Sequence, residues 1–171
     1  MTIQEFDSLP DQEHEYELHE GELIEVTFPN LIHVKLQERI RALLQPLLAH
    51  IGIVLVEMPF QISEAKQTKR RADVAFLRND RAESTIVEGA PDLVVEVLSP
   101  SNSASKLNRY ARLCLAHGTE EFWIVDPETK TIRVRRKDRT EREYEMGETI
   151  DISVGAGAIN VSEVFQGIVE G

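Results

Sequence analysis

Ala90-Pro91-Asp92-Leu93-Val94-Val95-Glu96-Val97-Leu98-Ser99-Pro100 is the stretch that decides the fold of this chain. Valine and leucine occupy both the odd-numbered and the even-numbered positions of its central run, so apolar side chains point to both faces of the strand. This pattern predicts a strand that is covered on both faces and lies inside a sheet. Glu96 stands in the middle of this run. Because an unpaired buried charge is costly, its carboxylate requires a partner, either a cation of the protein or a metal ion.

The segments on either side of this strand predict a single α/β domain that spans residues 1–171. Residues 1–20 predict a loop or a short helix, and residues 66–70 have the composition of an exposed turn. Apolar residues at helical spacing predict helices at 31–49, 102–117 and 161–168. The other apolar segments predict strands at 22–28, 53–62, 71–77, 92–98, 121–125 and 131–136, and an exposed strand pair within 142–152. Proline is expected to kink or end the first long helix at Pro46 and to interrupt or turn a strand at Pro59.

The composition indicates the class of protein. The chain has 171 residues, of which 42% are hydrophobic and 29% are charged, as is usual for a globular domain. No apolar run approaches the roughly 18 residues of a membrane span, and the acidic residues 1–25 do not resemble a signal peptide. The single cysteine, Cys114, excludes an internal disulfide and a cysteine zinc site. We therefore expect a cytoplasmic protein with no membrane partner.

Basic residues form two clusters in a chain whose net charge is −11. The first comprises Lys66, Lys69, Arg70 and Arg71, and the second comprises Arg133, Arg135, Arg136, Lys137, Arg139 and Arg142. The net charge argues against a large non-specific nucleic-acid surface, since clustered cations are what neutralise phosphates. Each cluster is either a local contact for phosphates or a set of solvated side chains on loops and edge strands. Composition does not choose between these alternatives.

Three charged side chains occupy positions from which they can converge. Asp73 lies in the strand at 71–77, Glu96 lies in the central strand, and Lys106 lies one turn into the next helix. If the two strands pair, both carboxylates can lie a few ångströms apart, where a cation is needed to keep both ionised. Mg²⁺ takes oxygen ligands and shares phosphate oxygens, and a lysine can stabilise the developing charge, as in a metal-dependent phosphodiesterase. The alternative is an ordinary buried salt bridge without catalysis. Asp92 shares the face of Glu96 but lies roughly 13 Å along the strand, too far to share one ion.

Three further residues are weaker candidates. His33, near the head of the first long helix, either approaches the site or a phosphate or lies on the helix surface. Tyr110 follows Lys106 by four residues on one helical face and is a core residue whose hydroxyl can reach toward the lysine. Glu20, just before a glycine, is an additional acid of the site or a turn residue. The chain has no phosphate-binding glycine loop, no Gly-x-Ser-x-Gly elbow and no His-x-x-x-His pair, so nucleotide hydrolysis by a P-loop, serine hydrolysis and zinc proteolysis are unsupported.

At these residues the chain resembles a known family, the Uma-two restriction endonucleases of the PD-(D/E)XK nuclease superfamily. The resemblance opens with Tyr16-Glu17-Leu18 and Glu20-Gly21-Glu22-Leu23 and continues with His33. It goes on with Arg71-Ala72-Asp73-Val74-Ala75, in which alanine precedes the aspartate where the family usually has proline. Its most specific parts are residues 91–101, Lys106 four residues before Tyr110, and Glu121-Phe122-Trp123-Ile124-Val125-Asp126-Pro127. These motifs follow in the same order and cover most of the chain.

The resemblance implies a restriction-endonuclease-like fold, in which a mixed sheet is flanked by helices. In the superfamily pattern an aspartate and a glutamate hold Mg²⁺, and a lysine two residues after the glutamate assists the attack. This pattern maps the metal ligands onto Asp73 and Glu96. Leu98 occupies the lysine position of the pattern, and Lys106 on the following helix is implied to replace it.

The favoured hypothesis is an endodeoxyribonuclease that depends on Mg²⁺ (or Mn²⁺) and acts as a homodimer, since cutting two strands requires two sites. Its catalytic residues are Asp73, Glu96 and Lys106, its second tier is Glu20, His33 and Tyr110, and both basic clusters hold the DNA backbone. The rival hypothesis is a non-catalytic nucleic-acid-binding or protein-interaction module on the same fold. A third alternative is action on an RNA or nucleotide phosphodiester, since nothing in the sequence distinguishes recognition of a 2′-hydroxyl.

Overall fold

The computed structural model describes residues 1–64, 66–100 and 102–168. Ser101 of the central motif and the chain end at 169–171 lie outside the described residues. The elements are α1 (Ile3–Asp7), β1 (Tyr16–His19), β2 (Glu22–Glu25), α2 (Leu31–Leu48), β3 (Gly52–Ile62), β4 (Thr68–Arg78), β5 (Leu93–Val97), α3 (Ala104–Ala116), β6 (Glu121–Asp126), β7 (Thr131–Arg136), β8 (Glu141–Tyr144), β9 (Thr149–Asp151), β10 (Ala158–Asn160) and α4 (Val161–Phe165).

Eight of the described strands form one mixed sheet. Its order is β2-β1-β4-β5-β6-β7-β8, and β3 pairs with β4 outside this path. The pair β5–β6 is parallel, with α3 as the connection between the two strands, and the other pairs are antiparallel. The strands β9 and β10 form a separate two-stranded sheet. A mixed sheet flanked by helices confirms the predicted fold class.

The two long helices cover opposite faces of the sheet. Helix α2 lies over one core, to which its inner face contributes four aliphatic side chains and β6 contributes Trp123; the four are Leu36, Ile40, Leu44 and Leu48. Helix α3 lies over a second core that contains Tyr110, Cys114 and Phe122. All five residues of β5 are buried, which confirms that this strand is covered on both faces. Cys114 is a free, buried thiol.

Strand β4 is longer than predicted. It begins at Thr68, so Lys69 and Arg70 belong to the strand, and the expectation of an exposed turn at 66–70 was wrong for them. The turn composition misled because these charged residues are paired with acids that lie far away in the sequence. Strand β3 runs through Pro59 without interruption. The outer edge of β3 has one isolated bridge among the described residues. Proline has no N–H to donate to a neighbouring strand, so it is tolerated at such an edge.

Local chemistry explains where the other elements begin and end. The Asn30 side chain accepts a hydrogen bond from the His33 N–H at 2.9 Å and so caps α2. The helix continues for two residues beyond Pro46. The strand predicted at 22–28 ends at Glu25 and is the second arm of a hairpin with β1, which the sequence did not predict. The strands predicted within 142–152 are β8 and β9, which do not pair with each other, since β8 pairs with β7 and β9 with β10. No described helix combines the length and the apolar character needed to cross a membrane.

Candidate active site

Strands β3 and β4 change face at one point of the sheet. In β4, Val74 packs in the core under α2, whereas Ala72 packs in the core under α3. Residues two apart in a regular strand share a face, so β4 turns over at Asp73. The residue opposite is Glu57 of β3, since the register pairs its two neighbours with Val74 and Ala72. Glu57 has a φ of 50°, in the left-handed region. Asp73 and Glu57 therefore belong to neither core and lie together at this irregular point.

The ladder between β4 and β5 stops beside Asp73. Its last pair is Val74 with Val95. Beyond it, side chains replace main-chain partners: the Val97 N–H donates to Asp73 Oδ2 at 2.8 Å, and the Asp73 N–H donates to Glu96 Oε1 at 3.4 Å. Asp73 and Glu96 thus lie in contact, as the proposed pairing of their strands predicts.

Glu96 lies on the buried side of this contact. Its side chain is nearly inaccessible, with 5% of the residue surface exposed. Burial raises the pKa of Glu96 well above its ordinary value, and the nearby Asp73 carboxylate raises it further, while the Arg70 guanidinium opposes the shift. The Glu96 carboxyl group therefore resists ionisation unless additional positive charge approaches.

Strands β1 and β5 both pair with the edge of β4 that faces away from β3, and they leave a gap along that edge beside residues 70–73. Glu17 of β1 places a second carboxylate in this gap. Its Oε1 accepts a hydrogen bond from the Arg71 N–H at 2.8 Å, and its Oε2 lies 3.2 Å from Arg70 Nε. Burial raises the pKa of Glu17, and the two arginines oppose this shift. Two main-chain N–H groups of β4, those of Arg71 and Asp73, therefore donate to carboxylates and not to a neighbouring strand.

Helix α2 brings His33 and Gln37 to the open side of the site. His33 Nε2 lies 3.2 Å from Asp73 Oδ1. One turn later, Gln37 Nε2 donates to Glu57 Oε1 at 2.6 Å and to Asp73 Oδ1 at 3.3 Å. Burial lowers the pKa of His33, but the hydrogen bond and the charge of Asp73 outweigh it, so the net shift is upward. One ligand atom from each of His33, Glu57 and Asp73 can be chosen such that all three lie within 4.8 Å of one another.

Arg70 and Tyr110 fill the space behind Glu17 and Glu96. The Arg70 guanidinium carbon lies 3.9 Å from the centroid of the Tyr110 ring. Tyr110 is 1% exposed, as expected for a core residue, and burial raises the pKa of its hydroxyl well above the ordinary value. That hydroxyl has no hydrogen-bond partner among the described residues. Arg70 is thus a buried cation of the acidic cluster.

Lys106 lies on the exposed side of α3. It lines a cleft of about 310 Å³ together with Arg109 and residues of the β1–β2 hairpin that include His19 and Leu23. Within the described residues, no ion pair or hydrogen bond joins its ammonium group to Asp73 or Glu96. Its catalytic role stays a prediction.

Glu20 joins the hairpin to α3. Its carboxylate lies 2.6 Å from Lys66 Nζ and accepts a hydrogen bond from Arg109 Nη2 at 2.7 Å. The hydrogen bond from Lys66 lowers the pKa of Glu20 to about 2, and Arg109 acts in the same direction. Glu20 has a φ of 48°, so it is also a turn residue. It therefore holds the helix that carries Lys106 against the hairpin.

The basic clusters lie among acids. In the first cluster, Lys66, Lys69, Arg70 and Arg71 each have a carboxylate oxygen within 4.0 Å, from Glu20, Asp7, Glu17 and Glu15 respectively. In the second, four arginines are paired in the same way: Arg133 and Arg135 with Glu141, Arg136 with Glu121, and Arg142 with Glu148. The DNA-binding role of either cluster stays a prediction.

Comparison with known proteins identifies the family. A family model described as "Uma2: Putative restriction endonuclease" matches residues 3–168. The chain belongs to the Uma2 family. This confirms the resemblance found in the sequence motifs and supports a nuclease function. The chain is also similar to the crystal structure of a putative nuclease belonging to DUF820 from Anabaena variabilis, with 23% identity and a TM-score of 0.87, covering 98% of this chain and 99% of that one. At this identity the similarity to the solved structure shows the shared fold. No curated protein matches this Uma2 chain.

Sequence reasoning did not select Glu57, Gln37 or Glu17. Glu57 is the only charged residue between Ile51 and Ser63, in a segment of apolar strand residues. Gln37 follows His33 by four residues, so the two share a helix face. Glu57 carried a signal of the same kind as Glu96, a charged side chain inside an apolar run, which could have placed it among the candidates, whereas Glu17 stands in a polar stretch and had no such signal.

Proposed function

We propose that this Uma2 chain is a divalent-metal-dependent endonuclease that hydrolyses phosphodiester bonds of DNA. The observation that supports it best is the meeting of Asp73 with Glu96 at the end of the β4–β5 ladder. In the superfamily pattern that the sequence resembles, these two positions are the metal-binding acids.

The charge of the site fits a divalent cation. Three acidic residues, Glu57, Asp73 and Glu96, lie around one irregular point, and the described residues place no lysine or arginine within 4.0 Å of Asp73. Mg²⁺ or Mn²⁺ would be held at Asp73 with Glu96 behind it. When bound, such an ion supplies positive charge to a phosphodiester and lowers the pKa of water.

The proposed role of Lys106 is to contact a phosphate next to the acids. Its position on the exposed face of α3, in a cleft formed with the β1–β2 hairpin, leaves its ammonium accessible to a strand of DNA. Glu20 fixes that cleft through Arg109. His33 orients Asp73 from the other side, and Tyr110 supports Arg70 beneath the acids.

The test is cleavage of supercoiled plasmid by the wild type, Asp73→Asn, Glu96→Ala and Lys106→Met, in Mg²⁺, Mn²⁺ or EDTA. Glu83→Ala is the matched control, since Glu83 is an exposed acid in the connection after β4. We expect metal-dependent nicking that is lost in the two acid variants, weakened in Lys106→Met and kept in Glu83→Ala. Full activity in Glu96→Ala would overturn the assignment of the site, and a parallel assay with RNA decides between the two substrates.

The rival candidate is a non-catalytic nucleic-acid-binding or protein-interaction module. It is favoured by the acidic charge of −11 and by the absence of a described contact between Lys106 and the acids. Absence of cleavage under every condition, together with a lack of any calorimetric response to Mg²⁺ or Mn²⁺, would support this rival.

We also propose a cytoplasmic homodimer. Two strand cuts require two sites, which a two-fold axis supplies. Light scattering after size-exclusion chromatography measures the mass against the 19.4 kDa of one chain, and a monomeric mass would remove this part of the proposal.

A further inference from the structure

We infer that His33 and Glu57 are ligands of the same ion as Asp73, and that this nitrogen-containing site selects Mn²⁺ over Mg²⁺. The inference deepens the proposed function, on which it rests for the use of the ion in DNA cleavage. Binding of the ion is measurable without DNA.

The first support is the convergence of three elements. His33 comes from the first turn of α2, Glu57 from the irregular residue of β3, and Asp73 from the facing residue of β4. Their ligand atoms lie within 4.8 Å of one another, close enough for one ion to contact all three after small side-chain movements. They are only partly covered, with side-chain exposures of 14% for His33, 47% for Glu57 and 15% for Asp73, so water and a phosphate can reach the same ion.

The second support is that no arginine or lysine of the described residues lies within 4.0 Å of Asp73. Three other largely buried acids of the described chain lie within 4.0 Å of an arginine: Glu17 of Arg70, Asp92 of Arg81, and Glu121 of Arg136. Asp73 differs, because its ion-pair partner among the described residues is the imidazole of His33. An adjoining acid, Glu57, has only a 3.8 Å contact with Arg71 Nε. A cation between Asp73 and Glu57 would compensate both.

The third support is an outer contact that fixes two of the ligands. The Gln37 amide donates to Glu57 and to Asp73 and holds the two carboxylates side by side. Gln37 is 4% exposed, so packing fixes the amide. Buried donors of this kind orient metal-binding carboxylates and raise metal affinity. On the far side of Asp73, Oδ2 is fixed by the Val97 N–H.

The donor atoms decide the metal. Mg²⁺ prefers oxygen ligands and usually retains several waters, whereas imidazole nitrogen suits first-row transition ions. Mn²⁺ accepts carboxylate oxygen as readily as Mg²⁺ does and also accepts imidazole. One nitrogen from His33 with oxygens from Glu57 and Asp73 therefore favours Mn²⁺.

The experiment is calorimetric titration of EDTA-treated full-length protein with Mn²⁺ and, separately, with Mg²⁺, using the wild type, His33→Gln, Glu57→Gln and His50→Gln. Glutamine replaces the nitrogen ligand of His33 by an oxygen, so we expect Mn²⁺ binding to weaken at least about tenfold while Mg²⁺ binding changes little. Glu57→Gln should weaken both ions. His50 is exposed after α2, so His50→Gln should bind like the wild type.

Pulsed electron paramagnetic resonance of bound Mn²⁺ supplies a readout that does not depend on the stability of a variant. A ¹⁴N modulation in the wild type, kept in His50→Gln, supports ligation by imidazole, and its absence in the wild type overturns the inference. Equal affinity of the wild type for the two ions also overturns it. Mn²⁺ binding with this signal but without plasmid cleavage would leave the inference standing and refute the proposed function. Mg²⁺-dependent cleavage with unchanged metal affinities in His33→Gln would refute the inference and leave the proposed function standing.

Discussion

His19 should make the stability of the protein depend on pH. It is 3% exposed in β1, and its Nδ1 lies 3.4 Å from Arg70 Nη1. Burial lowers the pKa of His19 from 6.5 to about 4, and the charge of Arg70 acts in the same direction. The unfolded chain therefore binds a proton between these two pH values that the folded chain does not, so stability is lost as the pH falls through this window.

The size of the effect follows from the two pKa values. The whole difference corresponds to about 3 kcal/mol, and at about pH 5 the expected loss relative to about pH 7.5 is about 2 kcal/mol. In His19→Gln the titrating group is absent, so any constant cost of the substitution appears equally at both pH values. The free-energy difference between wild type and variant should change by about 2 kcal/mol between the two conditions.

The assay is equilibrium unfolding in urea at these two pH values, followed by the fluorescence of Trp123, which is buried in the folded chain. His50→Gln is the matched control, because it removes an exposed histidine and should keep the wild-type pH dependence. If His19→Gln loses as much stability as the wild type on acidification, His19 is not held neutral in the fold and the reasoning is refuted.

Two further substitutions test the buried cluster behind the acids. Arg70→Met removes the cation beside Glu17 and should cost about 3–5 kcal/mol of unfolding free energy, as expected when one partner of a buried ion pair is lost. Because burial raises the pKa of Glu17, this cost should be smaller in mildly acidic urea titrations than in alkaline ones, and an equal cost at both pH values would contradict the pairing. Tyr110→Phe removes a buried hydroxyl that lacks a partner among the described residues, so we expect a thermal midpoint equal to or above that of the wild type, and a clear fall would indicate that the hydroxyl is satisfied.

The contact between Asp73 and Glu96 was predictable, whereas the surroundings of Asp73 were not. Pairing of two apolar strands in opposite directions brings these residues together, and the sequence shows both strands. Glu57 was missed because β3 and β4 change face at Glu57 and Asp73. The alternation of inward and outward side chains, by which a strand is predicted from sequence, is therefore interrupted at these two residues.

Long-range ion pairing explains why the basic segment was misjudged. Lys69 and Arg70 look like turn residues in sequence, but Asp7 and Glu17, which lie more than 50 residues earlier, pair with them and allow a strand there. Such partners cannot be deduced from local composition. The position of Lys106 could not be predicted for a similar reason, because it depends on the packing of α3 against the β1–β2 hairpin, which is distant in sequence.

Glu17 and Glu96, which accept hydrogen bonds from main-chain N–H groups of β4, also affect how this strand can pair with another chain. A strand edge with free N–H groups is a template on which another chain can add a strand. Here Glu17 and Glu96 occupy the N–H groups of Arg71 and Asp73 in the gap between β1 and β5. These carboxylates therefore leave neither N–H group free to pair with another strand, and this structural role does not depend on catalysis. A glutamate at position 96 therefore has a structural role in the fold besides the proposed binding of a metal ion.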